Sequence, residues 1–200
     1  MQAIVDTILD QNNVILSRIN VKDRGGPGSN HAVNVSILSV ALGARMGLGR
    51  KFLGELGFAA RVHDSGRIGL DPEILGTPLA EADAKALASH ETHVARGVKR
   101  LLGGRLSDVL LKSINVAFLH HYRFDQTGYP RMVTSKQQDV FTRIVAVADD
   151  YDEGTTPGRL YRDALSPSDA LRHLLDHGAT CWITAAASLT PSWSRPWFTP

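Results

Sequence analysis

Histidine and aspartate residues in three places of this chain have the types and spacing that bind metal ions. His63 and Asp64 are adjacent after the apolar-rich run LGFAARV, and His120 and His121 are adjacent after INVAFL. Asp149 follows a third apolar stretch, IVAVA. Imidazole and carboxylate groups that point into an apolar interior are costly unless they are paired or bind a metal. Together, these ligand types suit iron, manganese, zinc or a similar ion.

Two further candidates depend on helical periodicity. His31, Val35 and Leu38 recur at intervals of three or four residues, so we expect His31 on the buried face of a helix. His93 lies three residues after His90 on nearly the same helical face. Periodicity alone does not choose between these two histidines.

Each of these patterns also has a less specific interpretation when it is taken singly. An HD dipeptide also occurs at helix ends and in surface pairs, and an HH pair at a helix C-terminus can have one buried and one exposed member. Asp149 belongs to an acidic run, DDYDE, that could lie in solvent. His173 and His177 lie in a polar helix end, and we predict that both are solvated.

The elements that must position these residues are predicted to be helical. No alternating stretch is long enough to predict a sheet, so the predicted fold is all-α. We predict helices over approximately residues 2–20, 30–48, 50–62, 80–102, 105–120, 136–153 and 167–176. A glycine-rich break at 23–30 and loops at 65–78 and in RFDQTGYPRMVTS separate them. A helical bundle can bring inward-facing side chains from distant segments to one point.

Composition predicts an ordinary soluble domain in the cytoplasm. Of the 200 residues, 43% are apolar and 21% charged, and the net charge is +2 without a basic block, which argues against a nucleic-acid polymer as partner. No apolar run approaches the roughly 18 residues of a membrane span. The single cysteine, Cys181, rules out an intramolecular disulfide, so a reducing cytoplasm is the expected compartment.

The order and spacing of the motifs resemble the HD-GYP family of the HD superfamily of metal-dependent phosphohydrolases. The family pattern is a lone His, then H-D-x-G-K, then H-x-x-x-G, then H-H with a G-Y-P loop, and finally an Asp after an apolar run. The corresponding elements here are His31, HDSGR from His63, HVARG from His93, HHYRFDQTGYP from His120, and Asp149 in VAVAD. Further on, RLYRDALSP resembles the R-x-Y-R stretch of the family. Gly97 has the spacing of the family glycine, which selects His93 over His90.

The resemblance implies an all-α, HD-type helical bundle with a central bimetallic site. One divalent ion would be bound by His31, His63, Asp64 and Asp149. Asp64 would bridge to a second ion bound by His93, His120 and His121. The two ions, iron or manganese, would generate a hydroxide at neutral pH and neutralise charge on a phosphate.

By the same resemblance, the expected activity is that of a phosphodiesterase for cyclic di-GMP or a related cyclic dinucleotide. Asp64 and Arg67 are the predicted catalytic residues. The predicted substrate-binding residues are Arg123, Gly128, Tyr129, Pro130, Arg159 and Arg162. One alternative is a catalytically weak or inactive HD-type signalling module that binds a nucleotide or a regulatory protein partner. Another is an HD phosphohydrolase for a nucleotide monophosphate, which the intact Gly-Tyr-Pro loop disfavours.

The chain departs from the family pattern at several positions. Arg67 stands where the family has lysine; arginine grips a phosphate but does not readily give up a proton, so activity would be reduced. Tyr122 replaces a usual glutamate, and Asp125-Gln126 replaces a usual Asp-Gly. Some members have a glutamate that recruits a third metal where this chain has Pro27, so two metals are expected.

We divide the chain into three parts. Residues 1–30 are predicted to form an N-terminal helix and glycine-rich linker, residues 31–178 the HD-GYP-like domain, and residues 179–200 an atypical tail. The closing helix of the family, F-D-P-x-L-V, is replaced by ATCWITAAASL. The tail has no acidic residue and contains all three tryptophans. We interpret it as a segment foreign to the preceding fold, with a small packed extension as the alternative.

Overall fold

The computed structural model describes residues 27–103, 107–123, 127–131 and 138–178. Over these ranges the chain forms α-helices, two short 3-10 helices (Ser65–Arg67 and Leu79–Glu81) and one isolated bridge between Tyr122 and Gly128, with no strand. The α-helices are α1 (Pro27–Arg45), α2 (Arg50–Val62), α3 (Pro72–Gly76), α4 (Ala84–Glu91), α5 (His93–Leu101), α6 (Asp108–Leu119), α7 (Val140–Thr155) and α8 (Pro167–Gly178). The all-α prediction is confirmed. The predicted helix over 2–20 and the tail 179–200 lie outside the described residues.

Side-chain caps explain where three of the helices begin. Asp83, Ser107 and Asp139 precede α4, α6 and α7, and each accepts a hydrogen bond from the backbone N–H three residues further on. Such a cap satisfies one of the donors that the first turn of a helix leaves without an intrahelical partner. The starts of α4, α6 and α7 are therefore set locally by the sequence.

The helix boundaries differ from the predictions at several places. α4, α6 and α7 begin three or four residues later than predicted, and α3 lies within the segment 65–78 that is predicted as a loop. The described part of α1 starts at Pro27, so Asn30 lies within the helix instead of at its start. The predicted helix over 80–102 is divided at Thr92, whose Oγ1 donates to Ser89 O at 2.7 Å. A side chain that bonds back to the preceding turn competes with the regular helical ladder. His93 consequently lies at the start of α5 instead of in the middle of one long helix.

The hydrophobic core lies among α1, α2, α6 and α7. Its fully buried members include Val35, Leu53, Leu56, Val116 and Val145. Each such side chain contributes about 1.5–3 kcal/mol when it leaves water. α5 lies outside this core and packs against α6 and the 3-10 helix Ser65–Arg67. The core therefore fixes four of the elements that carry the candidate residues, and α5 is attached to them through α6.

None of the helices in the described ranges combines the length and the apolar character that crossing a bilayer requires.

Candidate metal centre

Seven side chains from five segments form a histidine–aspartate cluster beside the core. Its members are His31 on α1, His63 and Asp64 after α2, His93 at the start of α5, His120 and His121 after α6, and Asp149 on α7. Five of them are almost completely buried, while the side chains of Asp64 and His121 are 9% and 11% exposed. The structure thus brings together residues that the sequence separates by more than a hundred positions.

The carboxylate of Asp64 lies between two pairs of histidines. Its Oδ2 is 3.4 Å from His31 Nε2 and 3.8 Å from His63 Nε2. Its Oδ1 is 3.4 Å from His93 Nε2 and 3.8 Å from His120 Nε2. Each oxygen therefore faces a different pair, which is the arrangement that a carboxylate shared by two cations requires.

Asp149 approaches the cluster from the opposite helix, α7. Its Oδ1 is 3.0 Å from His31 Nε2 and 3.3 Å from His63 Nε2, while its Oδ2 is 3.9 Å from His121 Nε2. Several sets of ligand atoms lie within 4.8 Å of one another, and two of these sets share Asp64: one adds His93, His120 and His121, and the other adds His31 and His63. These sets correspond to two adjacent candidate cation sites that share Asp64.

Hydrogen bonds on the outer side of the rings orient four of the histidines. Nδ1 of His63, His93 and His120 lies 2.6, 2.7 and 3.0 Å from the carbonyl oxygens of Ala60, His90 and Val116, respectively. A carbonyl oxygen can only accept, so Nδ1 carries the hydrogen. His31 Nδ1 lies 2.7 Å from Asp152 Oδ2. In the neutral rings, the Nε2 lone pairs are thereby left for a ligand role inside the cluster.

The inward-facing atoms of the cluster fit a cation because they are otherwise unsatisfied. Buried atoms that have no hydrogen-bond partner among the described residues include His31 Nε2, His63 Nε2, His121 Nε2, Asp64 Oδ1 and both Asp149 carboxylate oxygens. Leaving a buried polar atom unpaired costs about 1–3 kcal/mol. Several such atoms directed at one point are expected where a metal ion supplies the missing interaction.

The electrostatics of the metal-free cluster place a proton on His31. Burial alone would lower the pKa of His31, as would Arg159, but contacts with the carboxylates of Asp149, Asp152 and Asp64 outweigh both effects and raise it to about 10. Burial would raise the pKa of the Asp149 carboxyl, yet the neighbouring His63 and His31 hold it well below its ordinary value. The cluster is therefore built to hold positive charge.

The pKa of Asp64 is also held well below its ordinary value. Burial opposes this shift, but the Arg67 guanidinium and His63 outweigh it. Burial lowers the pKa of His93 to about 3, so this ring is neutral at physiological pH. A neutral imidazole and an ionised carboxylate are the protonation states in which these groups bind metals.

Two of the predicted arginines lie against the cluster. Arg67 Nε is 2.7 Å from Asp64 Oδ2, and Arg67 Nη2 donates to Glu153 Oε1 at 2.6 Å. Arg159 Nη2 is 3.5 Å from Asp64 Oδ2. Arg162, in contrast, is 73% exposed in its side chain and forms an ion pair with Glu81 on the surface. The structure therefore places Arg67 and Arg159 beside Asp64, and places Arg162 on the surface.

The Gly-Tyr-Pro loop returns to the HH pair. Tyr129 N donates to His121 O at 3.2 Å, and the ring centroids of Tyr129 and His121 are 4.6 Å apart. Gly128 has φ +80°, and a Cβ there would lie 2.2 Å from His121 O, so only glycine fits. Pro130 follows Tyr129, and the backbone N–H of Arg123 donates to Thr127 O at 3.0 Å. These contacts place Tyr129 at the edge of the cluster.

The segment that contains Asp64 and Arg67 is fixed against α5. Arg96 donates from Nε to Gly66 O at 3.2 Å and from Nη2 to Ile68 O and Gly69 O at 3.2 and 2.9 Å. A Cβ on Gly66 would lie 1.9 Å from His93 O. The close approach at Gly66 therefore couples the position of Asp64 to that of His93.

Several polar residues around the cluster were not predicted. Asp152 and Glu153 lie three and four residues after Asp149 on α7 and are both buried. Asp152 accepts from Asn34 Nδ2 at 2.9 Å as well as contacting His31. The i,i+3 and i,i+4 spacing from Asp149 is the signal that could have identified them. His90, which helical periodicity does not distinguish from His93, is also buried, with its ring centroid 4.9 Å from that of His93.

Two of the departures from the family pattern are Tyr122 and the Asp125-Gln126 pair. Tyr122 is buried, and its carbonyl oxygen accepts a hydrogen bond from Gln138 Nε2. Tyr122 therefore packs into the protein where the family has an acidic residue. The Asp125-Gln126 pair lies outside the described residues.

Fold and cluster together define a helical protein of the HD class, in which a buried histidine–aspartate cluster is held by a bundle. The model of the HD domain family matches residues 8–186, so this chain belongs to the HD domain family, which is metal-dependent. The more specific resemblance to HD-GYP proteins is also confirmed by the relatives.

Among similar proteins with known activity is the cyclic di-GMP phosphodiesterase PA4108 of Pseudomonas aeruginosa, 29% identical over 85% of this chain and 40% of its own length. A cyclic di-GMP phosphodiesterase of Thermotoga maritima is 32% identical over 72% of this chain and 38% of its own. The chain thus spans less than half the length of these curated relatives.

A solved structure with a similar fold is Bd1817, an HDG"Y"P protein from Bdellovibrio bacteriovorus. The TM-score is 0.72 at 22% identity, and the match covers 90% of this chain and 56% of the other. At this identity the similarity concerns the fold.

Proposed function

We propose that this chain is a metal-dependent phosphodiesterase that hydrolyses cyclic di-GMP or a related cyclic dinucleotide. The observation that carries the proposal is the position of Asp64, whose two oxygens face separate histidine pairs. Nε2 of His31 and of His63 has no hydrogen-bond partner among the described residues. The names of the relatives support the substrate class, since two of them are cyclic di-GMP phosphodiesterases. The proposed domain comprises residues 31–178, preceded by a helix and linker and followed by a separate tail.

Two divalent ions, iron or manganese, are proposed for the cluster. His31, His63, Asp64 and Asp149 would bind one, and Asp64, His93, His120 and His121 the other. When bound, such ions neutralise phosphate charge and acidify water at neutral pH. The chain's own groups would hold these ligands in place: Asp152 orients the ring of His31, and main-chain carbonyls orient His63, His93 and His120.

The arginines and the loop are proposed to bind the substrate. Arg67 and Arg159 carry charge at the edge of the cluster, where a phosphodiester would lie, and Tyr129 would bound the nucleotide groove. Arg67 keeps its proton, so it would stabilise phosphate charge without protonating the leaving oxygen. Roles for Arg123, Gly128, Pro130 and Arg162 in substrate binding remain predictions, as does a cytoplasmic location.

One observation favours a second function, that of a catalytically weak signalling module that binds a nucleotide or a protein partner. Arg67 is engaged by two carboxylates, Asp64 and Glu153, and it stands where the family has lysine. An arginine neutralised in this way offers less charge to a phosphate than a free one.

Metal analysis combined with a turnover assay tests the proposal. Protein purified anaerobically is expected to contain two equivalents of a divalent metal and to linearise cyclic di-GMP or 3′3′-cyclic GMP-AMP. Metal-loaded protein that binds neither dinucleotide would reject the substrate class. Tight binding of a dinucleotide without hydrolysis would instead favour the signalling module.

A further inference from the structure

Glu153 is buried beside the histidine–aspartate cluster but is not one of its predicted ligands. Its side chain is 4% exposed and lies one helical turn after Asp149. Its Oε1 accepts from Arg67 Nη2 at 2.6 Å and lies 3.5 Å from Arg159 Nη2. A carboxylate at this depth is costly unless it is paired, and the two arginines supply that pairing.

Arg67 therefore has two carboxylate anchors of different kinds. Asp64 Oδ2, which lies 2.7 Å from Arg67 Nε, also faces His31 at 3.4 Å, so a cation bound there would compete with Arg67 for this oxygen. Among the described residues, the contacts that hold Glu153 Oε1 come from Nη2 of Arg67 and of Arg159. Glu153 is the anchor that a cation at Asp64 would leave in place.

We propose that Glu153 is a positioning residue that holds the Arg67 guanidinium beside Asp64 and directs it at a phosphate of the dinucleotide. The inference rests on the proposed function. A guanidinium makes its bidentate phosphate contact only in a fixed orientation, and a long free side chain loses much rotamer entropy when it adopts one. An anchor that fixes this orientation beforehand removes that cost from substrate binding.

Glu153 also has a geometric alternative, which the experiment must separate. Its carboxylate lies within 4.8 Å of ligand atoms of His31 and Asp149, so it could contribute to a metal site itself. Two arginines on the carboxylate oppose this alternative, because their charge repels a second cation at the same oxygen.

The first test is Glu153→Gln in the metal-loaded protein. Glutamine keeps the shape and the acceptor oxygen but removes the charge. Because small misplacements of a reacting group lower rates by as much as ~100-fold, kcat/KM for cyclic di-GMP should fall by about 10- to 100-fold while metal content stays unchanged. The matched control is Glu55→Gln, since Glu55 is a buried carboxylate that is paired with Lys112 instead. Metal loss in Glu153→Gln, or equal effects of both variants, would overturn the proposal.

A double-mutant comparison identifies the partner through which Glu153 acts. In an Arg67→Met background, Glu153→Gln should cause no further loss of kcat/KM, whereas in an Arg159→Met background its effect should persist. Additive losses with Arg67→Met, or a silent Glu153→Gln with Arg159→Met, would contradict a role through Arg67.

A measurement without substrate separates this inference from the proposed function. In zinc-loaded, 15N-labelled protein, the Arg67 side-chain signal is identified by its absence in Arg67→Lys. Rotation about its Cζ–Nη2 bond should be slow in the wild type and in Glu55→Gln, and faster in Glu153→Gln. If the wild type neither binds nor hydrolyses a cyclic dinucleotide, the proposed function fails, but this signal still decides whether Glu153 holds Arg67. Unchanged rotation in Glu153→Gln would overturn the inference.

Discussion

Replacing Gly66 with alanine should separate the Asp64 segment from α5. The added Cβ would lie 1.9 Å from His93 O and 2.5 Å from Gly97 N, both of which are backbone atoms, whereas ordinary contacts begin at 3.4 Å. The two segments would have to move apart by about 1.5 Å. Such a shift exceeds what the hydrogen bonds of Arg96 to Gly66, Ile68 and Gly69 tolerate.

The cost combines steric overpacking, about 1–3 kcal/mol, with weakened hydrogen bonds of roughly 0.5–1.5 kcal/mol each. We therefore expect Gly66→Ala to lower the free energy of unfolding by about 2–4 kcal/mol and to weaken metal binding, since Asp64 moves away from His93. Urea unfolding and metal analysis measure both effects.

Gly54→Ala is the matched control for this substitution. Gly54 lies within α2, and a Cβ there meets no atom within 4 Å apart from its chain neighbours and the backbone of its own helix. Alanine is favoured over glycine inside a helix, so this variant should gain about 0.5–1 kcal/mol. A Gly66→Ala protein that unfolds at the wild-type urea concentration with full metal content would refute the argument that this contact positions Asp64.

Three further predictions concern the cluster. Asp64→Ala should abolish metal retention, because its oxygens face both histidine pairs, whereas His173→Ala should leave metal content unchanged; equal loss in both would indicate general instability. Arg67→Lys should raise turnover of cyclic di-GMP by about 100-fold or more with little change in Kd, because lysine can donate a proton; a lysine variant slower than the wild type would contradict this reasoning. The pKa of His31 is raised to about 10, so its proton must leave when a metal binds. Metal affinity should therefore rise by roughly tenfold per pH unit between pH 6 and 9, measured by calorimetry, and a flat profile would exclude His31 as a ligand.

The fold class and the order of the motifs could be predicted because they depend on local patterns. Helical spacing of apolar residues identifies the face on which His31 lies, whereas the predicted starts of α4, α6 and α7 fall two or three residues before the capping residues that set them. The break between α4 and α5 could not be predicted in the same way. The break depends on the hydrogen bond from the Thr92 hydroxyl to the carbonyl oxygen of Ser89. Because threonine also occurs within helices, its presence does not predict a break.

The ion pairs between residues far apart in the chain are the part of the site that could not be predicted from the sequence. Arg159 and Arg162 lie three residues apart in one motif, yet the first reaches Asp64 and the second pairs with Glu81, far away in the chain. Which partner an arginine finds depends on the packing of distant segments. Glu153 could be predicted only in part. Its helical spacing from Asp149 predicts that the two side chains share a face of α7, but it does not predict the contact of Glu153 with Arg67.

Both residues of the HD dipeptide, and both of the HH dipeptide, can point into the cluster because each dipeptide lies at the end of a helix. Within a helix, consecutive side chains diverge by about 100° and could not share one target. His63 and His120 are the C-caps of α2 and α6, and Asp64 leaves the helical conformation with φ −96° and ψ 12°.

The same helix ends also supply the groups that orient the rings. The last carbonyls of a helix lack intrahelical donors, and the one at Ala60 accepts from His63 Nδ1. His120 Nδ1 donates to the carbonyl of Val116 in the last turn of α6, an oxygen that also accepts from the backbone N–H of His120. Because the C-terminal end of a helix carries partial negative charge, both ends also favour cations at the point where the two dipeptides meet. Helix termination in this chain thus sets the ring orientation, the tautomer and part of the electrostatic field of the cluster.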